Sequence, residues 1–198
     1  MRLESGLLYC ESLSKTQKTQ DDIQHFSVLH EETGKGLVRY LQESASFDEE
    51  LGSMRTYFVR MRGTQECVGY FSLKAGLVSL RETQFEDKAE FDTLPGVELA
   101  NFAVNAAFVR KYHVKGIGGV IFTDFILPII REAAGLVGIC LVYLFALPHA
   151  ALLKNYERYG FQRLSPEAES QLHKRLKPAY DQSCIFMCQP LKLSAEIQ

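Results

Sequence analysis

The sequence has 198 residues, 46% of them hydrophobic and 23% charged, with a formal net charge of -2. That length and balance can bury the core of one α/β domain and exclude disorder or a fibrous class, and without an overall basic field only a local patch could hold nucleic acid. Five cysteines, Cys10, Cys67, Cys140, Cys184 and Cys188, are odd in number and scattered, which fits reduced core thiols rather than the paired spacing of a zinc or redox site, so no metal is expected.

In chain order, the opening Met1 to Gly6 lacks the apolar core of a secretory signal, and a cytoplasmic location is expected. Gly6 to Cys10 reads as a first strand and the polar stretch Glu11 to Asp22 as a loop. From Asp21 to Leu51, the apolar residues Ile23, Phe26, Leu29, Leu37, Tyr40 and Leu41 recur at helical spacing around Gly34 and Gly36, predicting two short helices. Thr56 to Met61 and Cys67 to Leu73 are β-rich runs joined by Arg62-Gly63-Thr64-Gln65, the composition of a hairpin. A charged excursion from Arg81 to Asp92 precedes a strand at Val97 to Val104. A glycine-rich turn then opens an apolar helix from about Gly116 to Ala134, in which Pro128 predicts a kink or an early end.

Ile139 to Leu144 reads as a central strand, His149 to Tyr159 as a helix, Pro166 to Leu176 as an inserted helix and Cys184 to Leu191 as a last strand. The most apolar region, Val120 to Leu153, is interrupted by Asp124, Pro128, Arg131, Glu132, Gly135 and Gly138, so no membrane span is expected. Antiparallel strands followed by a strand-helix-strand-helix section predict a mixed α/β fold of the α+β kind, one domain over residues 1–198.

The candidate chemistry begins at His113-Val114-Lys115-Gly116-Ile117-Gly118-Gly119, read as lying directly between a strand and a helix. Glycines permit a tight turn, and the amides at a helix start can point at pyrophosphate oxygens. Lys115, Arg110 and Lys111 would add positive charge. A Walker sequence is excluded because Gly-Lys-Ser/Thr is missing, and a dinucleotide fingerprint because its early strand and third glycine are missing.

His113-Val-Lys-Gly116-Ile-Gly118 resembles the Arg/Gln-x-x-Gly-x-Gly/Ala cofactor motif of the GNAT N-acetyltransferases, with His113 in place of the usual Arg or Gln. Asn155-Tyr156-Glu157-Arg158-Tyr159-Gly160-Phe161 is similar to the Tyr-Glu-Lys-Leu-Gly-Phe signature of that family, and the likeness covers about residues 56–164. The resemblance implies a mixed central sheet of about six to seven strands flanked by helices on both faces. It implies acetyl-CoA as co-substrate, held by His113, Val114, Lys115, Gly116, Ile117, Gly118 and Gly119, by the β-strand backbone at Phe102, Ala103 and Val104, by His149 where relatives often have Asn, and by Tyr156.

The same resemblance implies Tyr156 as the proton donor to the departing thiolate, Tyr159 as packing, and either Glu98 or water as the base that deprotonates the amine. The acceptor would be a primary amine of unnamed class. Tyr70-Phe71-Ser72-Leu73-Lys74-Ala75-Gly76, with the Tyr156 segment, is also similar to the aminoacyl-tRNA-acetylating toxins, which makes tRNA a second acceptor class. Clustered basic residues for a phosphate backbone lie at Arg60 to Arg62, Arg110 to Lys115 and His173 to Lys177. The likeness also suggests a homodimer paired through Ile185-Phe186-Met187; the alternative of another class is a non-catalytic acyl-CoA-binding module, against which the retained Tyr156 speaks.

Overall fold

The computed structural model describes residues 5–85, 88–175 and 183–191. Its strands are β1 (Leu8–Ser12), β2 (Arg55–Met61), β3 (Cys67–Phe85), β4 (Lys88–Val104), β5 (Leu141–Ala146), β6 (Gln162–Arg163) and β7 (Ile185–Pro190). Its helices are α1 (Gln17–His25), α2 (Glu31–Glu43), α3 (Ala45–Leu51), α4 (Ala106–Tyr112), α5 (Ile117–Ile121), α6 (Leu127–Leu136), α7 (Ala150–Arg158) and α8 (Pro166–Arg175). Hydrogen-bonded strand neighbours run β1-β2-β3-β4-β5-β7-β6 in one seven-stranded sheet. All resolved pairings are antiparallel except β4 with β5, so the sheet is mixed, as expected. Among the described residues no helix is long and apolar enough to cross a membrane.

Two compact units divide the chain, Met1–Lys74 with Leu99–Ile129, and Ala75–Glu98 with Ile130–Gln198. In the first, β2 and the start of β3 form the predicted hairpin, β1 pairs antiparallel with β2, and Ile23, Phe26, Leu41, Phe58, Tyr70 and Ala103 bury a common core. The polar stretch expected as a loop contains α1, because Thr16 caps it: its hydroxyl accepts from the Thr19 amide at 3.2 Å. The region expected to hold two helices therefore holds three, and Gly34 and Gly36 lie inside α2 rather than between helices. Gly34 is there for contact: a Cβ on it would lie 2.6 Å from the Val28 side chain.

Arg60 is 1% exposed and ion-paired to Glu11 and Asp22, and it donates to the Gln65 carbonyl at 3.2 Å. Burial alone would lower its pKa, but the bonds to Asp22 and Glu11 outweigh that and leave it raised. This arginine ties β1, α1 and β2 together, so its place in the basic patch expected at Arg60 to Arg62 is corrected; a guanidinium committed to two carboxylates inside the protein is unavailable to phosphate. Arg62 remains exposed and lies over the Tyr9 ring at 5.7 Å.

In the second unit, β5 pairs in parallel with β4 and antiparallel with β7, and Val78, Leu141, Tyr143, Leu172 and Phe186 form its core. The charged segment read as an excursion is largely strand: β3 runs to Phe85 and β4 starts at Lys88. Phe186 and Met187, expected to pair across a dimer, are fully buried in this chain's own sheet. Met187 faces Arg163 of β6, and the Phe186 amide donates to Glu169 Oε1 at 3.0 Å.

Pro128 does not end its helix. Helical geometry runs unbroken from Ile117 to Leu136, with a wider π-turn at Phe122–Ile126 just before the proline. The Leu127 amide bonds back to the Phe122 carbonyl, five residues earlier. Proline clashes with the carbonyl four residues before it, and the widened turn gives that carbonyl room.

Candidate active site

The glycine-rich turn is built from two left-handed residues. Helix α4, unread in the sequence, starts at Asn105, whose side chain accepts from the Ala107 amide at 3.0 Å and buries Ala106 and Phe108 behind it. The turn thus follows a short helix, not β4 directly. Helix α4 ends on His113 at φ 49°, and Gly116 at φ 72° precedes α5. Between them Val114, 4% exposed, and then Ile117, 5%, anchor the turn in the core, while His113, Lys115 and Gly116 are exposed.

No side chain caps the start of α5, and the first amide to bond back is that of Gly119, to Gly116 O at 3.0 Å. The amides of Ile117 and Gly118 precede any intrahelical acceptor, which is the arrangement that receives an anion. Lys115 and Arg110 are exposed and make no ion pair among the described residues. Lys111, expected to serve a phosphate, is paired with Glu66 instead, whose carboxyl is held below its usual value by Lys111 and then by Tyr112.

Strand β4 carries the next candidates. Ala103 is buried, whereas Phe102 and Val104 are partly exposed. Its parallel pairing with β5 covers only Gly96, Val97 and Glu98, opposite Leu141, Val142 and Tyr143. Glu98 is 6% exposed, not the solvated strand carboxylate that its residue type favours. Sequence reasoning missed its partner Tyr143, which lies opposite it in register; burial and then the Glu98 carboxylate push that phenol up. Only the parallel register brings these two residues together, and no local pattern in the sequence announces it.

The Tyr156 segment closes α7. Tyr159 ends the helix and Gly160 takes φ 94°; its amide donates to Glu157 O at 3.0 Å, and the Phe161 amide to Tyr156 O at 3.0 Å. This is a Schellman motif, in which the residue after the glycine packs on the residue three from the helix end. Here those two are Phe161 and Tyr156, with ring centroids 5.7 Å apart and edge to face. Tyr159 adds a second edge contact at 6.2 Å, the packing expected of it.

The Tyr156 ring is 9% exposed, and its hydroxyl makes no hydrogen bond among the described residues. Burial, and then Tyr159, raise the phenol above its usual value. His149 precedes α7 in an extended conformation, exposed, and its ring does not cap the helix. By unit, Phe102, Ala103, Val104 and residues 113–119 fall in the first, and Glu98, His149 and Tyr156 in the second. Of the third basic cluster, His173 lies against Phe145 at 6.4 Å, and Lys177 is outside the described residues.

No family model matches the sequence. Solved structures do. A tyrosine-to-phenylalanine variant of the toxin KacT matches with a TM-score of 0.66 at 17% identity, over 93% of this chain and 95% of its own. The corresponding kind of variant of the toxin AtaT gives 0.64 at 17% identity, over 96% and 93%. AtaT complexed with acetyl-methionyl-tRNAfMet gives 0.62 at 17% identity, over 90% and 93%. The likeness read from the sequence, to GNAT enzymes and their tRNA-acetylating toxin-type members, therefore holds in three dimensions, and the chain has the GNAT fold.

Proposed function

We propose that this protein is an acetyl-CoA-dependent N-acetyltransferase. The observation that carries the reading is Tyr156, a phenol kept protonated by burial and fixed by a helix-end motif, in a chain of GNAT fold. The open amides of Ile117 and Gly118 hold the pyrophosphate of the co-substrate, with Lys115 beside them. Backbone amides of β4 beyond Glu98, from Phe102 to Val104, bind the pantetheine arm and polarise the thioester carbonyl.

In the reaction, the acceptor nitrogen attacks the thioester carbon, and the C–S bond breaks as the tetrahedral species collapses. Tyr156 gives its proton to the departing sulfur and is reprotonated by the proton that the amine loses. Before attack, Glu98, buried beside the Tyr143 hydroxyl, or water takes one proton from the acceptor ammonium and frees its lone pair; the proton that restores Tyr156 is the second one, lost by the nitrogen as the amide forms. The net change moves one acetyl group to nitrogen and one proton to sulfur, and releases the other proton to solvent.

For the acceptor, the AtaT complex with acetyl-methionyl-tRNAfMet favours an aminoacyl-tRNA amine. Lys154 and Arg158, exposed one turn apart on the helix that bears Tyr156, supply cations for such a polyanion. The test is thiol release by the full chain from acetyl-CoA with small amines, peptides and aminoacyl-tRNA in separate pools. Release with aminoacyl-tRNA supports the whole reading; release with another pool alone removes the tRNA acceptor, and release with none removes the enzyme.

A further inference from the structure

Helix α4 has seven residues, too few to hold its shape alone, yet it must end on a non-glycine residue in left-handed conformation. Three consecutive residues at the β2–β3 junction fasten both its ends. At the N-terminal end, the Asn105 amide donates to Val68 O at 2.8 Å, and its side chain donates to Cys67 O at 3.1 Å. At the other end, Glu66 accepts from Lys111 Nζ with one carboxylate oxygen and from the Tyr112 hydroxyl with the other. Lys111 also lies over the Tyr112 ring at 5.1 Å, and that ring packs on buried Phe108 at 4.7 Å.

We propose that Glu66 is a positioning residue for the acetyl-CoA turn: its two-pronged hold on Lys111 and Tyr112 fixes where α4 stops and keeps His113 left-handed, so that Gly116 and the open amides of α5 face the pyrophosphate. The inference rests on the acetyl-CoA reading above. A left-handed histidine persists only where its surroundings over-determine it. Release of Tyr112 and Lys111 lets the last turn of α4 fray, returns His113 to the right-handed region and displaces the turn that follows.

The charge of Glu66 makes the proposal easy to contradict. If Glu66 did no more than neutralise a lysine near a phosphate site, Glu66→Gln would free Lys111 and tighten acetyl-CoA binding. The positioning role predicts the opposite sign, a KM and Kd for acetyl-CoA raised about tenfold with kcat at saturation kept, as expected for loss of a charge-assisted bond. Tyr112→Phe, which changes no charge and leaves the Lys111 bond in place, is expected to raise both in the same direction but less, about threefold.

The decisive arm is a cycle with His113→Gly. Glycine takes the left-handed conformation unaided, so Glu66→Gln has a smaller effect on affinity in the glycine background than in the histidine one. An effect of equal size in both backgrounds, or tighter binding by Glu66→Gln, overturns the proposal. Should Glu66→Gln not fold, Tyr112→Phe carries the same cycle. Absence of acetyl-CoA binding by the unmodified chain would fault the functional reading; normal binding with unresponsive variants would fault this inference alone.

Discussion

Two turns of the chain, one in each unit, are both set by left-handed residues, yet they use helix ends in opposite ways. At Gly116 a helix begins with its amides open and no side chain spent on them. At Gly160 a helix ends with its carbonyls closed by the amides of Gly160 and Phe161, and with Tyr156 locked by the ring of Phe161. Under the proposed function the first turn acts through backbone, so that His113 can stand in place of the Arg or Gln of the resembled motif, and the second acts through one side-chain hydroxyl.

The largest difference between them is expected from Tyr156→Phe. Loss of a general acid lowers the rate about 100-fold, and the reading adds that acetyl-CoA affinity stays within a factor of two or so, because packing against Phe161 survives. Stopped-flow thiol release with parallel binding measurements checks it. A full rate in that variant would remove the acid role and with it the contrast.

Next in size is Gly160→Ala. The left-handed conformation and a Cβ placed 2.7 Å from the Gln189 side-chain nitrogen combine to a loss of about 2–3 kcal/mol, read as a lower denaturant midpoint at unchanged m-value. Gly116→Ala meets the same backbone penalty but open space around its Cβ, so its cost should be about 1–2 kcal/mol. Equal losses at both would mean that the Gln189 contact relaxes freely. Gly118→Glu is expected to leave stability nearly untouched and to weaken acetyl-CoA about tenfold by repelling phosphate at the open amides.

The smallest effect concerns pH. A phenol raised above the usual 10.0 stays protonated where ordinary tyrosines ionise, so kcat shows no alkaline fall from Tyr156 between pH 8 and 10. The sign for stability follows: the folded state holds this proton more tightly than the unfolded one, so the contribution is complete below the unfolded value and is lost as pH climbs toward the raised one. A kcat that halves near pH 10 in the unmodified chain, but not in Tyr156→Phe, would show an ordinary exposed tyrosine there.

What the sequence made legible was whatever is encoded locally. The β2–β3 hairpin, the Val97 to Val104 strand, the Gly116 helix start and the Tyr-Gly-Phe helix end each carry glycine or apolar punctuation within a few residues. Helix α1 escaped because its residues are polar and its one strong signal is the Thr16 cap. The Lys88 to Asp92 segment does alternate, as Lys-Ala-Glu-Phe-Asp, but its charges masked that short pattern, although β4 starts at Lys88. Arg60 read as surface because its partners Glu11 and Asp22 lie 49 and 38 residues away. The Tyr143 neighbour of Glu98 was hidden for the same reason, since a parallel register is settled by the whole sheet.

The most direct test of the central claim is calorimetric titration of the unmodified chain with acetyl-CoA. The account predicts saturable binding with one site per chain that persists in Tyr156→Phe and weakens in Gly118→Glu. Titration without a saturable heat, or binding indifferent to Gly118→Glu, would contradict the assignment of the Gly116 turn as the cofactor cradle.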